Sequence, residues 1–289
     1  MNNGIEQIAP RYPVRRMKWQ ALRWNLHHLT NFCILLFVIG VLMFGRVGLW
    51  LGIPVLLLAL VLTDGIARPG SNLFYPTITH GLRDSKRVAL TFDDGPDPEM
   101  TPQVLDALAE YDARATFFVI GKKLTAQPVL SKRMVDAGHV VANHSWQHSR
   151  LQNFYFSKWQ AQEIGHGIEA ITAVTGTPPS RLYRPPVGLK NWALGRAAWH
   201  HDLILVAWSL HSHDTRLPDP QRIAQRVLAK VRGGDIILLH DGHDLPGGQR
   251  PFCAAALRLI LQGLRERGLE CVTVPELLGR SGEGTHQSR

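Results

Sequence analysis

A parallel α/β domain behind a strongly apolar N-terminal segment is what this sequence predicts, on three observations. Short β-rich runs and segments of helical spacing alternate for almost two hundred residues. Four strand candidates end in polar or charged side chains. Ahead of them, Leu29 to Thr63 form 35 residues whose only charge is Arg46. At 289 residues, 45% hydrophobic and 19% charged, the chain has ample material for a large core, which excludes disorder as its general state.

Residues 1–28 form a basic leader in which Arg11, Arg15, Arg16, Lys18 and Arg23 stand against one acid, Glu6. As a single helix the apolar run would reach roughly 52 Å, against a hydrocarbon core of about 30 Å. A break at Gly45-Arg46 divides it into two spans, so residues 29–63 are expected to form a transmembrane helical hairpin in contact with membrane lipids; Pro54 is tolerated in such a helix. Basic flanks on both sides place both ends inside by the positive-inside rule, whereas one signal-anchor crossing puts the following domain outside. The net charge is +9, but without the leader and Arg46 only +4 remains over residues 64–289. With no zinc-finger spacing, no aromatic RNA-binding signature and no basic stripe, nucleic acid is not expected as a partner; the leader's charge fits anionic lipid headgroups. Cys33, Cys253 and Cys271 are too few and too scattered for a disulfide framework and read as packing residues.

After a linker at 64–85 containing Pro69-Gly70-Ser71 and Pro76, the β-rich runs are Arg87 to Phe92, Ala115 to Ile120, His139 to Asn143, Leu203 to Trp208, Asp235 to His240 and Glu270 to Val274. The helical segment opening at 101 takes Thr101 as N-cap and Pro102 as its first residue, with Val104, Leu105, Leu108 and Tyr111 on one face. Others run over Val129 to Ala137, Ser157 to Val174, Pro220 to Val231 and Pro251 to Arg267, each followed by a glycine. Near-continuous apolar strands such as IILL argue for a parallel sheet covered by helices. Periodicity leaves a barrel and an open doubly wound sheet equally available.

Four strand candidates run into chemistry at the carboxyl edge, where parallel α/β proteins build their sites: Asp93-Asp94, Asn143-His144, Arg184 and His240. Asp93-Asp94-Gly95-Pro96-Asp97 alone reads as a turn, but two adjacent carboxylates at a buried strand end are costly unless a cation is near. His144 and His148 stand four apart, a spacing that shares one face on a helical turn and lets two imidazoles grip one ion. With one carboxylate they make a set that leaves room for water, as hydrolytic metal sites require. Arg184, leading a rigid Pro185-Pro186 turn, suits a partner that keeps Asp93 ionised. His240 suits a general acid, since its pKa lies near neutrality.

These motifs resemble the polysaccharide deacetylase family with the NodB-type domain, carbohydrate esterase family four. The resemblance spans roughly residues 86–278 and rests on Thr91-Phe92-Asp93-Asp94-Gly95-Pro96-Asp97, His144-Ser145-Trp146-Gln147-His148, Arg184-Pro185-Pro186-Val187-Gly188 and Leu238-Leu239-His240. It implies a distorted, incomplete (β/α) barrel and hydrolysis of the C–N amide bond of N-acetylated sugars. It further implies Asp93 as general base, Asp94, His144 and His148 as metal ligands, Arg184 as the residue paired with the base, and His240 as general acid supported by Asp214. The family's fourth motif is altered: its first Asp is His211 and its last Trp is Thr215, so His211, His213 and His243 are expected to be loop histidines. The implied ion is divalent, with zinc first and cobalt, nickel or manganese also accepted by such ligands.

The expected partner is an N-acetylated glycan, with a lipid-linked amino sugar or a catalytically silent glycan-binding protein as the rivals. A hydrolase of the haloacid-dehalogenase type is excluded because its acids are spaced Asp-x-Asp, whereas Asp93 and Asp94 are adjacent. A bacterial inner membrane is the expected location, with the catalytic domain facing the cytoplasm if residues 29–63 form a hairpin and outward if they cross once. Residues 279–289 are expected to be a flexible tail.

Overall fold

The computed structural model describes residues 46–243 and 253–279. The basic leader, residues 29–45, Cys33 and nearly all of the expected tail lie outside the described residues. The chain divides into two units, Met1–Ile66 and Ala67–Arg289. In the first, one helix is described, α1 (Arg46–Ala67), with Pro54 inside it. The expected hairpin is not supported: among the described residues no helix is long and apolar enough to cross a membrane. Helix α1 continues past the apolar run through Asp64 and Gly65 into the expected linker, and it begins with the charge assigned to the hairpin's tip.

The second unit carries a nine-stranded sheet: β1 (Thr77–Ile78), β2 (Arg87–Asp93), β3 (Ala115–Val119), β4 (Val140–Asn143), β5 (Leu182–Tyr183), β6 (Ile204–Val206), β7 (Leu210–His211), β8 (Ile236–His240) and β9 (Glu270–Cys271). Their order is β1-β6-β5-β4-β3-β2-β8-β7, with β9 also on β2, and every strand pairing is parallel. Strands β1 and β7 stay as edges among the described residues, so the sheet does not close into a complete barrel. Four of these strands, β1, β5, β7 and β9, hold two residues each, fewer than a period-two pattern needs to signal a strand.

Part of the stretch at 64–85, expected as a linker, takes up structure in the second unit. Its β1 extends the sheet, Gly81 N–H donates to Gly234 O at 2.7 Å, and the buried Lys190 ammonium donates to Pro69 O and Ser71 O at 2.5 and 2.8 Å. Backbone carbonyls thereby satisfy a charge that could not otherwise be buried.

The helices are α2 (Met100–Glu110), α3 (Gly121–Ala126), α4 (Pro128–Asp136), α5 (Ser157–Thr175), α6 (Trp192–His200), α7 (Pro220–Leu228), α8 (Cys253–Glu266) and α9 (Val274–Leu277). Helix α2 starts earlier than expected: Asp97 Oδ1 accepts from Glu99 N and Met100 N, both at 2.9 Å, and performs the capping assigned to Thr101. Thr101 is buried, and its Oγ1 accepts from Asp97 N at 2.8 Å and donates to Asp241 Oδ2 at 2.6 Å. Helix α6 was not expected; its signal is Asn191, whose Oδ1 accepts from Leu194 N at 2.8 Å. Helix α5 ends as expected on Gly176, at φ 73°. Cys253 is buried and Cys271 half-buried, both unbridged.

Strand parity positions everything that follows. Val88, Leu90 and Phe92 of β2 pack with Phe117, Val119, Ile237 and Leu239 beneath α2 and α8, where Phe92 stacks on Phe117 at 5.0 Å. The opposite face gathers Ala89, Phe118, Ala142, Leu182, Val206 and Ile236. Because side chains alternate along a strand, that second face also receives Thr91 and Asp93 after Ala89, His144 after Ala142, Arg184 after Leu182, and His240 after Ile236.

His139 packs edge-on to Phe117, and its Nδ1 accepts from Ala115 N–H at 3.3 Å. Burial, then the charge of Arg114, pushes its pKa down from 6.5 to about 4. The fold therefore favours the neutral ring, and stability is lost as pH falls from about 6.5, where the unfolded chain gains its proton, to about 4, where the folded chain does too. Urea denaturation across that window is expected to show a loss of a few kcal/mol, and His139→Gln to remove much of that slope. An identical slope in the variant would exclude His139 as its source.

Candidate active site

The carboxyl ends of parallel strands share one rim, and the sequence-predicted residues meet there. Asp93, last residue of β2, lies in register with His240, last residue of β8. His144 follows β4, and Arg184 follows β5. Asp93, Asp94, His144, His148 and Arg184 are all buried, while His240 is half-buried at the opening.

Arg184 has no solvent exposure. Its Nη1 donates to Asp93 Oδ1 at 2.6 Å and to Thr91 Oγ1 at 2.9 Å, Nη2 donates to Ala207 O at 3.0 Å, and Nε donates to Val206 O at 3.2 Å. The guanidinium lies 4.1 Å over the Phe118 ring. Strands β5 and β2 are three steps apart, roughly 14 Å on a flat sheet at about 4.8 Å per step, farther than the two side chains span. The contact therefore requires a curled sheet, which is why an incomplete barrel forms rather than an open doubly wound sheet. Burial drives the pKa of Arg184 down and the Asp93 carboxylate drives it up; burial prevails.

Asp94 Oδ1 lies 3.2 Å from His148 Nε2 and 3.6 Å from His144 Nε2. The three ligand atoms all fall within 4.8 Å of one another, and the imidazole rings sit 4.9 Å apart. The two histidines are not on a helical turn as their spacing had led us to expect. Left-handed backbone at Ser145 (φ 70°) and His148 (φ 55°) turns the segment back on itself, and Asp94 is left-handed too, at φ 71°. Non-glycine residues pay for this conformation, and such strain concentrates at functional sites.

The set fits a cation. His144 Nδ1–H donates to Arg184 O at 2.6 Å; a carbonyl can only accept, so in the neutral ring it is Nε2, facing Asp94, that has the lone pair a metal needs. Asp94 Oδ1 is buried without a hydrogen-bond partner, an arrangement whose cost a metal ion would remove. Burial alone raises the pKa of Asp94, but the adjacent imidazoles of His144 and His148 outweigh it and hold the carboxyl well below its usual range. Burial lowers the pKa of His144, yet the nearby Asp93 and Asp94 carboxylates turn the net shift upward. Two carboxylates stabilising a buried proton are the electrostatic counterpart of the affinity for a cation.

Across from this trio, Asp214 Oδ1 pairs with His240 Nδ1 at 2.9 Å, and Asp214 Oδ2 accepts from His240 N–H at 2.7 Å. Burial pulls the imidazole pKa down, but Asp214 pulls harder, with Asp94 and Asp93 assisting, and lifts it to about 9. Asp214 itself is held low despite burial by the same pair and by a 2.9 Å bond from Ser212 Oγ. The altered fourth motif thus keeps its support of His240.

Several positioning residues had no sequence signal beyond being polar near a motif. Asn143 Oδ1 accepts from Ser145 N at 2.8 Å and its Nδ2 donates to Ile164 O at 2.9 Å; a Cβ on Gly167 would lie 2.4 Å from that Oδ1, so only glycine fits there. Glu163 receives Gln147 N and Nε2 at 3.2 and 3.0 Å, which anchors the histidine loop. Lys123 Nζ donates to Asp94 O and His243 O at 2.8 and 2.7 Å. Asp241 is buried behind Gly95, accepts from Thr101 Oγ1 at 2.6 Å, and is pushed up to about 7 by burial.

A polysaccharide deacetylase family model matches residues 80–203. A peptidoglycan-N-acetylglucosamine deacetylase of Bacillus cereus is 39% identical over 197 residues, covering 68% of this chain and 89% of the relative. A chitooligosaccharide deacetylase of Bradyrhizobium is 37% identical over 205 residues, with 67% and 91% covered. A crystal structure of a peptidoglycan N-acetylglucosamine deacetylase in complex with 4-naphthalen-1-yl-N-oxidanyl-benzamide superposes with a TM-score of 0.66 at 29% identity, over 77% of this chain and 97% of that one. The fold, the meeting of the four motifs at one rim and these likenesses agree: the chain belongs to the polysaccharide deacetylase family of hydrolases.

Proposed function

We propose that this chain is a metal-dependent deacetylase that hydrolyses the acetamido group of N-acetylglucosamine in peptidoglycan or chitin-like oligosaccharides, the substrates named for its relatives. The observation that carries this reading is the facing of two differently tuned pairs across one opening. Asp93 is held by the buried Arg184 beside the Asp94, His144 and His148 trio, and a cationic His240 is held by Asp214.

Asp94, His144 and His148 would hold the ion, with zinc, cobalt, nickel or manganese suited to one carboxylate and two imidazoles. A divalent ion there supplies Lewis acidity and lowers the pKa of a bound water. Asp93 is the general base: Arg184 occupies its Oδ1, leaving Oδ2 to take the proton of the attacking water. His240 is the general acid. Its Nδ1 is committed to Asp214, so Nε2–H is the proton given to the departing sugar nitrogen as the C–N bond breaks. Water supplies the hydroxyl that ends on acetate and the proton left on Asp93. The amine takes the proton of His240, and a proton passed from Asp93 to His240 restores both groups.

Acetate release from an N-acetylglucosamine tetramer by the zinc-loaded chain tests this reading. Asp93→Asn is expected to lower kcat by 10²- to 10⁴-fold while zinc content stays unchanged; turnover equal to that of the original chain would reject Asp93 as base.

The alkaline limb of the pH profile provides a second test. His240 acts in its protonated form, so kcat/KM is expected to fall above about pH 9. Asp214→Asn removes the largest influence holding that proton and is expected to move the limb toward neutrality by at least one pH unit. A limb that stays in place would show that Asp214 does not tune the acid.

A further inference from the structure

His211 is one of the two positions, with Thr215, where this chain departs from the family's fourth motif, and nothing in the proposed chemistry uses it. It ends β7, paired in parallel with β8 opposite Leu238, so its ring stands at the same rim as His240, at a centroid distance of 6.2 Å. Trp208 packs edge-on at 5.7 Å on another side, itself filling the space a Cβ on Gly188 would need. Where the ligand trio, Asp93 and Arg184 are buried, Trp208, His211 and His240 are half-buried, so these rings are the more accessible part of the rim.

Two contacts decide what His211 presents there. Its Nδ1 accepts from the backbone N–H of His213 at 3.0 Å, and an amide N–H can only donate, so Nδ1 carries no proton and a neutral ring bears its hydrogen on Nε2. The backbone on either side is clamped: Arg226 Nε donates to His211 O at 3.2 Å, and its Nη2 meets His213 Nε2 at 2.9 Å. Burial, with the positive charges of His240 and His213 adding to it, pushes the pKa of His211 down to about 4, consistent with a ring that stays neutral wherever His240 is charged. No hydrogen bond to the Nε2 edge of His211 is found among the described residues.

We propose that His211 is a specificity-determining residue that binds the sugar directly, its Nε2–H donating to an oxygen acceptor, a hydroxyl or ether, next to the acetamido group presented to His240. The donor is preorganised, because the tautomer and ring orientation are set before substrate arrives. It is fixed in sense: it serves an oxygen that accepts and offers nothing to a group that can only donate. The assignment rests on the deacetylase reading above and adds to it the residue that orients the sugar.

The test compares the zinc-loaded original chain with His211→Phe, which keeps a ring but loses the donor, and His211→Gln, whose amide restores an N–H near the same place. On the N-acetylglucosamine tetramer, His211→Phe is expected to raise KM by 10- to 100-fold with kcat within about threefold, and His211→Gln to recover most of the loss. His211→Ala replaces the Phe variant if that chain does not fold. A fall in kcat at unchanged KM, or a donor-free variant equal to the original, overturns the proposal. Calorimetric binding of the tetramer separates this claim from the reaction. If the original chain binds without releasing acetate, the deacetylase reading fails, and tenfold weaker binding by His211→Phe still upholds His211, whereas equal binding overturns it. No binding by the original chain overturns both.

Discussion

The buried hydrogen-bonded pair of Arg184 and Asp93 is the contact on which the rest of the architecture depends. It spans strands that a flat sheet would hold too far apart, so it is compatible only with a curled one, and it places a permanently charged guanidinium where water cannot reach it. Such a group is tolerable because its donors meet two backbone carbonyls, a threonine hydroxyl and a carboxylate, with an aromatic face above. Removing Asp93 would leave that cation uncompensated, which ties the integrity of the curled sheet to the same residue that we propose as base.

From that pair the division of labour follows by electrostatics. One wall concentrates carboxylates, and the histidines beside it take the character of ligands, with His144 turned by its hydrogen bond to the Arg184 carbonyl. The other wall gives His240 a carboxylate of its own, which favours the protonated imidazole that the proposed acid role needs. Environment rather than residue type separates the roles: His144 and His240 belong to the same rim, and what differs is the partner of each Nδ1, a carbonyl in one case and a carboxylate in the other.

The sequence made the strands legible because they are apolar runs with turn residues between them, and the site legible because its polar residues fall where those runs stop. Parity then explains why Asp93, His144, Arg184 and His240 share a face. What periodicity could not express is conformation without a repeat. The His144 to His148 spacing read as a helical turn, whereas the chain reaches the same convergence through left-handed residues at Ser145 and His148. Asn143, Glu163, Lys123 and Asp241 act through a few individual hydrogen bonds, most of them to residues distant in the chain, which leave no trace in local composition. The stretch at 68–85 read as linker because its two-residue strand and its anchor, Lys190, are separated by more than a hundred residues. In the N-terminal region, hydropathy registered the apolar run; the helix described there takes in charges at both ends.

The most direct measurement of the central claim is anomalous X-ray scattering from crystals of the full chain grown with zinc. Convergence of the three ligands predicts one dominant peak about 2.0–2.2 Å from a carboxylate oxygen of Asp94 and from Nε2 of His144 and His148. A dominant peak elsewhere, or none at saturating zinc, would contradict it.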